Sequence, residues 1–174
     1  MQFKRKNIRL PAQNYRGRGW FFVTLCCERR RRVFTDQHKA RWLIDCLRRE
    51  AEAFRFGVHA YCVMPDHVHL LAEGLEPASD LLSFVKKLKQ KTAFEYQKRF
   101  GERLWQKKFY DYILRPNDSP DRVAWYIWMN PIRKGICSQP RDYLFSGSFT
   151  VEWRKEPKPA QPWVPGWKNK DVPA

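Results

Sequence analysis

The chain has 174 residues, 43% hydrophobic and 30% charged, a globular balance that suits one domain with its own core and leaves no room for two. No apolar run approaches the ~18 residues of a membrane span, and the basic first residues lack the apolar core and cleavage site of a secretory signal, so a soluble, cytoplasmic protein with no membrane partner is expected. Lys and Arg number 34 against 18 acids, a formal +16, which points to a polyanionic partner.

Residues 1–18 read as a basic arm without periodicity. "WFFVTLCC", from Trp20, is rich in aromatic and β-branched residues and reads as a strand. "DQHKARWLIDCLRREAEAF" places Ala40, Leu43, Ile44, Leu47, Ala51 and Phe54 at helical spacing. "FGVHAYCVM" and "HVHLLAE" are strand-like runs separated by the turn signal "PD", hence a hairpin. "SDLLSFVKKLKQKTAFEYQKRF" reads as a second helix with Leu81, Leu82, Phe84, Val85, Leu88 and Phe94 inward and Lys and Gln outward. "LWQKKFYDYILR" reads as a last strand or extended segment.

In "NDSPDRVAWYIWMNPIRKG", Ser119 suits an N-cap, Pro120 the first helical position and Asp121 the positive end of the helix dipole, so a third helix starts there. Pro131 disfavours helical geometry at Asn130, where the helix should bend or weaken. Beyond about Val151 the chain turns rich in Pro, Trp and Lys and reads as a tail strapped over the surface or partly disordered. The order strand, helix, strand, strand, helix, strand is the ferredoxin-like (RRM-like) α+β arrangement, an antiparallel sheet with helices on one face; a third, tyrosine-bearing helix is added after it. The units are thus 1–18 as arm, 19–150 as domain and 151–174 as tail.

Five cysteines, an odd number with no C-x-x-C pair, indicate neither a disulfide framework nor a zinc ribbon. Aromatics make up 16% of the chain and several interleave with cations, as in "RGRGWFF" and "KRFGERLWQKKFY", the mixture that binds single-stranded nucleic acid. Side chains two apart on a strand share a face, so His67 and His69 project together and, when neutral, are able to share one cation. A third ligand is then needed, and Asp66, His59, Glu73 or a distant amide or carboxylate are the candidates. On the third helix Tyr126 and Asn130 lie four apart, on one face, so that the amide of Asn130 joins a metal while the phenol faces a substrate.

Three stretches, "HAYCVMPDHVHLL", "LWQKKFYDYILR" and "YIWMNPIRKGI", in this order and spacing, resemble the single-tyrosine HUH transposases, most closely their REP-associated tyrosine transposase branch. The resemblance runs from about Gly19 to about Ser148, where "RDYLFSGS" is similar to the family's closing segment. It implies that His67 and His69 are the metal pair and Tyr126 the catalytic nucleophile. Asn130 matches the polar position one turn later, a Gln in the insertion-sequence branch, and Asp66 stands where such proteins often carry Asn or Glu.

The activity implied is that of a divalent-metal-dependent (Mg²⁺ or Mn²⁺) endonuclease and strand-transferase acting on single-stranded DNA near hairpins through a 5′-phosphotyrosine bond, as a monomer or homodimer. The basic arm (Lys4, Arg5, Lys6, Arg9, Arg16, Arg18) and the cationic helix face (Lys86, Lys87, Lys89, Lys91) are expected to hold phosphates. The alternative from the residues alone is a non-catalytic module of the same fold that binds single-stranded nucleic acid.

Overall fold

A computed structural model describes residues 9–165, so the expectations for Lys4, Arg5 and Lys6 lie outside the described residues. The order is β1 (Gly19–Cys26), α1 (Gln37–Ala53), β2 (Phe56–Met64), β3 (His67–Gly74), α2 (Leu81–Phe100), β4 (Tyr110–Ile113), α3 (Pro120–Trp128), α4 (Asn130–Arg133) and β5 (Ser146–Gly147). The strands form one sheet in the order β4-β1-β3-β2-β5, and every pairing is antiparallel. The first four strands and two helices give the split βαβ topology expected from the sequence.

Strand alternation sends the side chains of β1 and β3 to two separate cores. Phe21, Val23 and Leu25 on β1 and Val68, Leu70 and Ala72 on β3 pack with Leu43 and Leu47 of α1 and with Phe84, Val85 and Leu88 of α2. The intervening Phe22, with Leu71 of β3 and Ala60, Cys62 and Met64 of β2, packs with Val123, Ala124, Ile127 and Trp128 of α3. Helices α1 and α2 therefore cover one face and α3 the other, which carries the histidines.

Local chemistry sets the helix ends. The Asp36 carboxylate accepts from the amides of His38 and Lys39 at the start of α1, and Asp80 accepts from Ser83 at the start of α2. Gly101, at φ +71, closes α2 in the left-handed conformation. Ser119 caps α3, with Pro120 first in the helix. The break expected near Pro131 falls at Met129, and α4 restarts at Asn130.

The structure departs from the sequence reading in three places. Phe94 is 70% exposed rather than inward; the buried stripe of α2 continues through Thr92 and Tyr96, four and eight residues after Leu88, whereas Phe94 at six falls off that face. Tyr15, read as part of an arm, is buried in the helix-side core and donates to Asp111 at 2.6 Å. A short fifth strand, not anticipated, pairs with the free edge of β2. The tail from Trp153 to Trp163 lies across α3, with both indoles buried. Among the described residues no helix is long and apolar enough to cross a membrane.

Candidate active site

The β1–β3 register sets Cys26 opposite His67 and Thr24 opposite His69, and directly paired residues share a face. On the other side of β3, Met64 faces His67 and Cys62 faces His69. The imidazoles thus sit in a trough floored by three strands. His67 is 5% exposed, and its ring meets that of His69 edge-on, 4.6 Å between centroids.

The two Nε2 atoms face each other at 3.0 Å. Each Nδ1 is engaged elsewhere: that of His67 donates to Asp66 Oδ1 at 2.5 Å, and that of His69 lies 2.8 Å from Thr24 Oγ1. Burial lowers the His67 pKa, against the opposing pull of its hydrogen bond to Asp66, so the neutral ring is favoured. With both rings neutral, one assignment satisfies these bonds. Thr24 O–H donates to His69 Nδ1, His69 Nε2–H donates to His67 Nε2, and His67 Nδ1–H donates to Asp66. A cation shared between the Nε2 atoms requires His69 to move its proton to Nδ1. Thr24 permits this, because a hydroxyl accepts as readily as it donates.

Asp66 is therefore no third ligand on the Nε2 side. It belongs to the turn rather than to a regular strand, and its carboxylate reaches back to His67 while accepting from Arg30 Nε at 2.9 Å. The other two candidates pair with each other: His59 Nε2 lies 2.8 Å from Glu73, with Trp20 against the His59 ring at 4.4 Å. Glu73 is four residues beyond His69 on the strand, roughly 13 Å at the usual rise. Among the described residues no group of three His, Cys, Asp or Glu is placed to hold a metal.

Tyr126 projects from α3 onto the histidine face. Its ring meets Phe22 at 6.1 Å and Trp163 at 5.1 Å, and Phe22 stacks on His69 at 5.5 Å. Phe22 thus touches both the tyrosine and one histidine. The Arg133 guanidinium lies 4.2 Å from the Tyr126 ring centroid and donates to the Tyr126 carbonyl at 2.7 Å. Three neighbouring phenols of this face are held in the protonated form. Burial, with the hydrogen bond to Asp118, pushes Tyr112 up to about 12; burial also raises Tyr110 and Tyr143.

Asn130 is buried, and its amide nitrogen donates to the carbonyls of Tyr126 at 3.3 Å and Ile127 at 3.1 Å. In an unbroken helix the Ile127 carbonyl would accept from residue 131, but Pro131 has no N–H, and the Asn130 amide takes its place. Both partners are carbonyls, so the nitrogen must face them, and the amide oxygen is the atom left for a cation.

The expected phosphate-binding cations do not gather at this site. Helix α2 lies on the opposite sheet face. Lys89 Nζ donates to the carbonyls of Gln106 and Lys107, and Lys91 pairs with Glu50. Arg9 pairs with Asp111 and Arg16 with Asp80. Lys86, Lys87 and Arg18 are exposed. Sequence reasoning missed Thr24, Phe22 and Trp163, which join the site only through strand register and the path of the tail.

The chain is 25% identical over 148 residues to the REP-associated tyrosine transposase of Escherichia coli (strain K12), covering 79% of this chain and 86% of that protein. A solved REP-associated tyrosine transposase bound to a REP hairpin superposes with a TM-score of 0.66 at 24% identity, covering 81% of each chain, which is agreement of fold. Residues 19–128, the stretch that holds the histidine pair and the tyrosine helix, match the transposase IS200-like family, and the chain belongs to that family.

Proposed function

We propose that this transposase is a metal-dependent single-stranded DNA endonuclease and strand-transferase that acts near hairpin sequences through a 5′-phosphotyrosine bond to Tyr126. The observation that carries this reading is the paired Nε2 atoms at 3.0 Å, each ring oriented through its Nδ1, on the face that α3 covers with Tyr126. The donor set fits a borderline divalent ion. Imidazole suits Mn²⁺ better than Mg²⁺, which prefers oxygen ligands. His67, His69 and the Asn130 oxygen would hold it, and when bound it supplies Lewis-acid stabilisation of charge on the scissile phosphate.

The chain's own residues do the rest. Asp66 holds the His67 proton on Nδ1 and keeps Nε2 open, and Thr24 accepts the His69 proton in the same way. The Tyr126 oxygen attacks phosphorus as its proton passes to solvent. The Oη–P bond forms, the P–O3′ bond breaks, and the departing 3′ oxygen takes up a proton. Arg133, against the ring and bonded to the Tyr126 carbonyl, holds the tyrosine in place and puts a cation beside the incoming phosphate. Phe22 and Trp163 pack against the Tyr126 ring and fix its position; when another 3′-hydroxyl attacks the ester, the new O3′–P bond forms, the P–Oη bond breaks and the phenol is regenerated. Exposed Arg18 serves as an outlying phosphate contact, whereas Lys86 and Lys87, on the helix behind the sheet, take no part.

The test is incubation with a hairpin oligonucleotide bearing single-stranded flanks and Mn²⁺, followed by a denaturing gel. A covalent adduct is expected from the wild type and none from Tyr126→Phe, with DNA affinity nearly unchanged. An adduct of undiminished yield in the variant removes Tyr126 from its role, and metal-independent binding with no adduct at all returns the fold to a binding module.

A further inference from the structure

A cleft of about 320 Å³ opens beside His67, lined among others by Arg30, Arg32, Asp66 and Lys134. The cleft of about 420 Å³ at Tyr126 is a separate one, lined among others by Arg122, Arg133 and Trp163. Consecutive residues after the helix break divide between them: Arg133 lines the tyrosine cleft and Lys134 the histidine cleft. Tyr126 touches Phe22, Phe22 touches His69, and His69 touches His67, so His67, which lines the histidine cleft, is the member of the pair farther along this chain of contacts from the tyrosine.

Its charge is unbalanced. The Asp66 carboxylate is taken up by His67 and Arg30, whereas Arg32 and Lys134 are exposed and, among the described residues, have no acidic partner. The loop that delivers Arg32 is held in an unusual shape. Arg29 and Arg30 adopt φ of +53° and +57°, a region that favours glycine. Arg30 is anchored on Asp66 and on Cys26 Sγ, and Arg31 on Glu102 and the Arg103 carbonyl. Two cations of the run are thereby fixed while Arg32 is left at the cleft.

Attacking and leaving oxygens lie roughly in line in phosphoryl transfer, so the strand carrying the departing 3′ oxygen must run away from Tyr126. We propose that the histidine cleft holds a backbone phosphate of that leaving strand, with Arg32 and Lys134 as its binding residues. This rests on the functional reading above and extends it: retention of the cleaved 3′-hydroxyl end keeps it close enough to reverse or complete the transfer.

The test uses Arg32→Gln/Lys134→Gln in the full chain, both positions being exposed. In equilibrium binding of the flanked hairpin oligonucleotide, the slope of log affinity against log salt should fall by ~0.7, the increment for one phosphate on a single strand. In native gels of the Mn²⁺ reaction the wild type should retain the free 3′-hydroxyl fragment and the double variant release it, while the Tyr126 adduct still forms. An unchanged salt slope overturns the subsite. A changed slope with full retention of the fragment overturns its assignment to the leaving strand. If the wild type forms no adduct, the functional reading fails and the strand assignment with it, while the binding arm still decides whether the cleft takes a phosphate.

Discussion

The two faces of the sheet are built from the same strands and answer to different demands. On the face covered by α1 and α2, β3 contributes Val68, Leu70 and Ala72, all buried in an apolar core. On the other face it contributes His67, His69, Leu71 and Glu73, of which only Leu71 joins a core cluster. A period of two lets one strand serve stability on one side and chemistry on the other, with neighbouring residues never competing for the same surroundings. The chemical face has its own cost. Its polar atoms need partners, and the chain from Thr24 through both imidazoles to Asp66 and Arg30 supplies them.

Adjacent substitutions on β3 give the widest separation of the faces. His69→Ala should abolish the Tyr126 adduct and stoichiometric Mn²⁺ binding by calorimetry while leaving the urea midpoint close to that of the wild type. Leu70→Ala, one residue later and fully buried, should cost about 2–5 kcal/mol of stability, and adduct formation should persist wherever the protein stays folded. A variant at position 69 as destabilising as that at 70 would mean that the histidine face is a structural core.

Next in size are the residues that orient the rings. Thr24→Val keeps the shape of the side chain but removes the group that takes the His69 proton, and Asp66→Ala removes the acceptor of the His67 proton. Each should weaken Mn²⁺ binding by about 10–100-fold, and excess Mn²⁺ should restore adduct yield. Loss of yield that no Mn²⁺ concentration restores would place these residues outside the metal pathway.

A smaller effect is expected from protonation of His67 in the metal-free protein. Its pKa is lowered in the folded state by burial, so between that value and the ordinary imidazole value the unfolded chain binds more protons. Stability should therefore rise with pH through this window and fall as the medium is acidified. Urea titrations at several pH values should show a shallower dependence in His67→Gln, and an identical dependence would mean that other groups set it.

Much of this contrast is legible in the sequence, because it depends on local rules. The alternation in "HVHLL", the cap and proline in "SPD" and the break before Pro131 follow from geometry within a few residues. Thr24 and Phe22 could not be found in that way, since an isolated strand does not disclose its partner's register. Asp66 is legible only as a candidate ligand, because its position in the turn, which frees its carboxylate to reach His67 Nδ1, is not fixed by the residue pattern. Lys89, expected from the helix face to hold phosphate, instead donates to carbonyls of the segment before β4, whose path the helix pattern does not disclose. The tail was readable as a strap, yet nothing in its composition indicated that Trp163 would meet Tyr126.

The smallest expected effect tests the limit of the apolar face itself. Phe84 and Phe94 are ten residues apart on α2, the first fully buried between Phe54 and Phe56 and the second in solvent. Phe84→Ala removes a ring from a packed core and should cost about 3–5 kcal/mol. Phe94→Lys removes a ring with little burial to lose and adds a good helix former, so stability should change by no more than about 0.5 kcal/mol. Because α2 lies behind the sheet, the same substitution should leave adduct yield unaltered. A reduced yield from Phe94→Lys, in a protein of unchanged urea midpoint, would show that DNA wraps from the histidine face onto α2, and the division of labour between the faces would then hold for the strands but not for the helices.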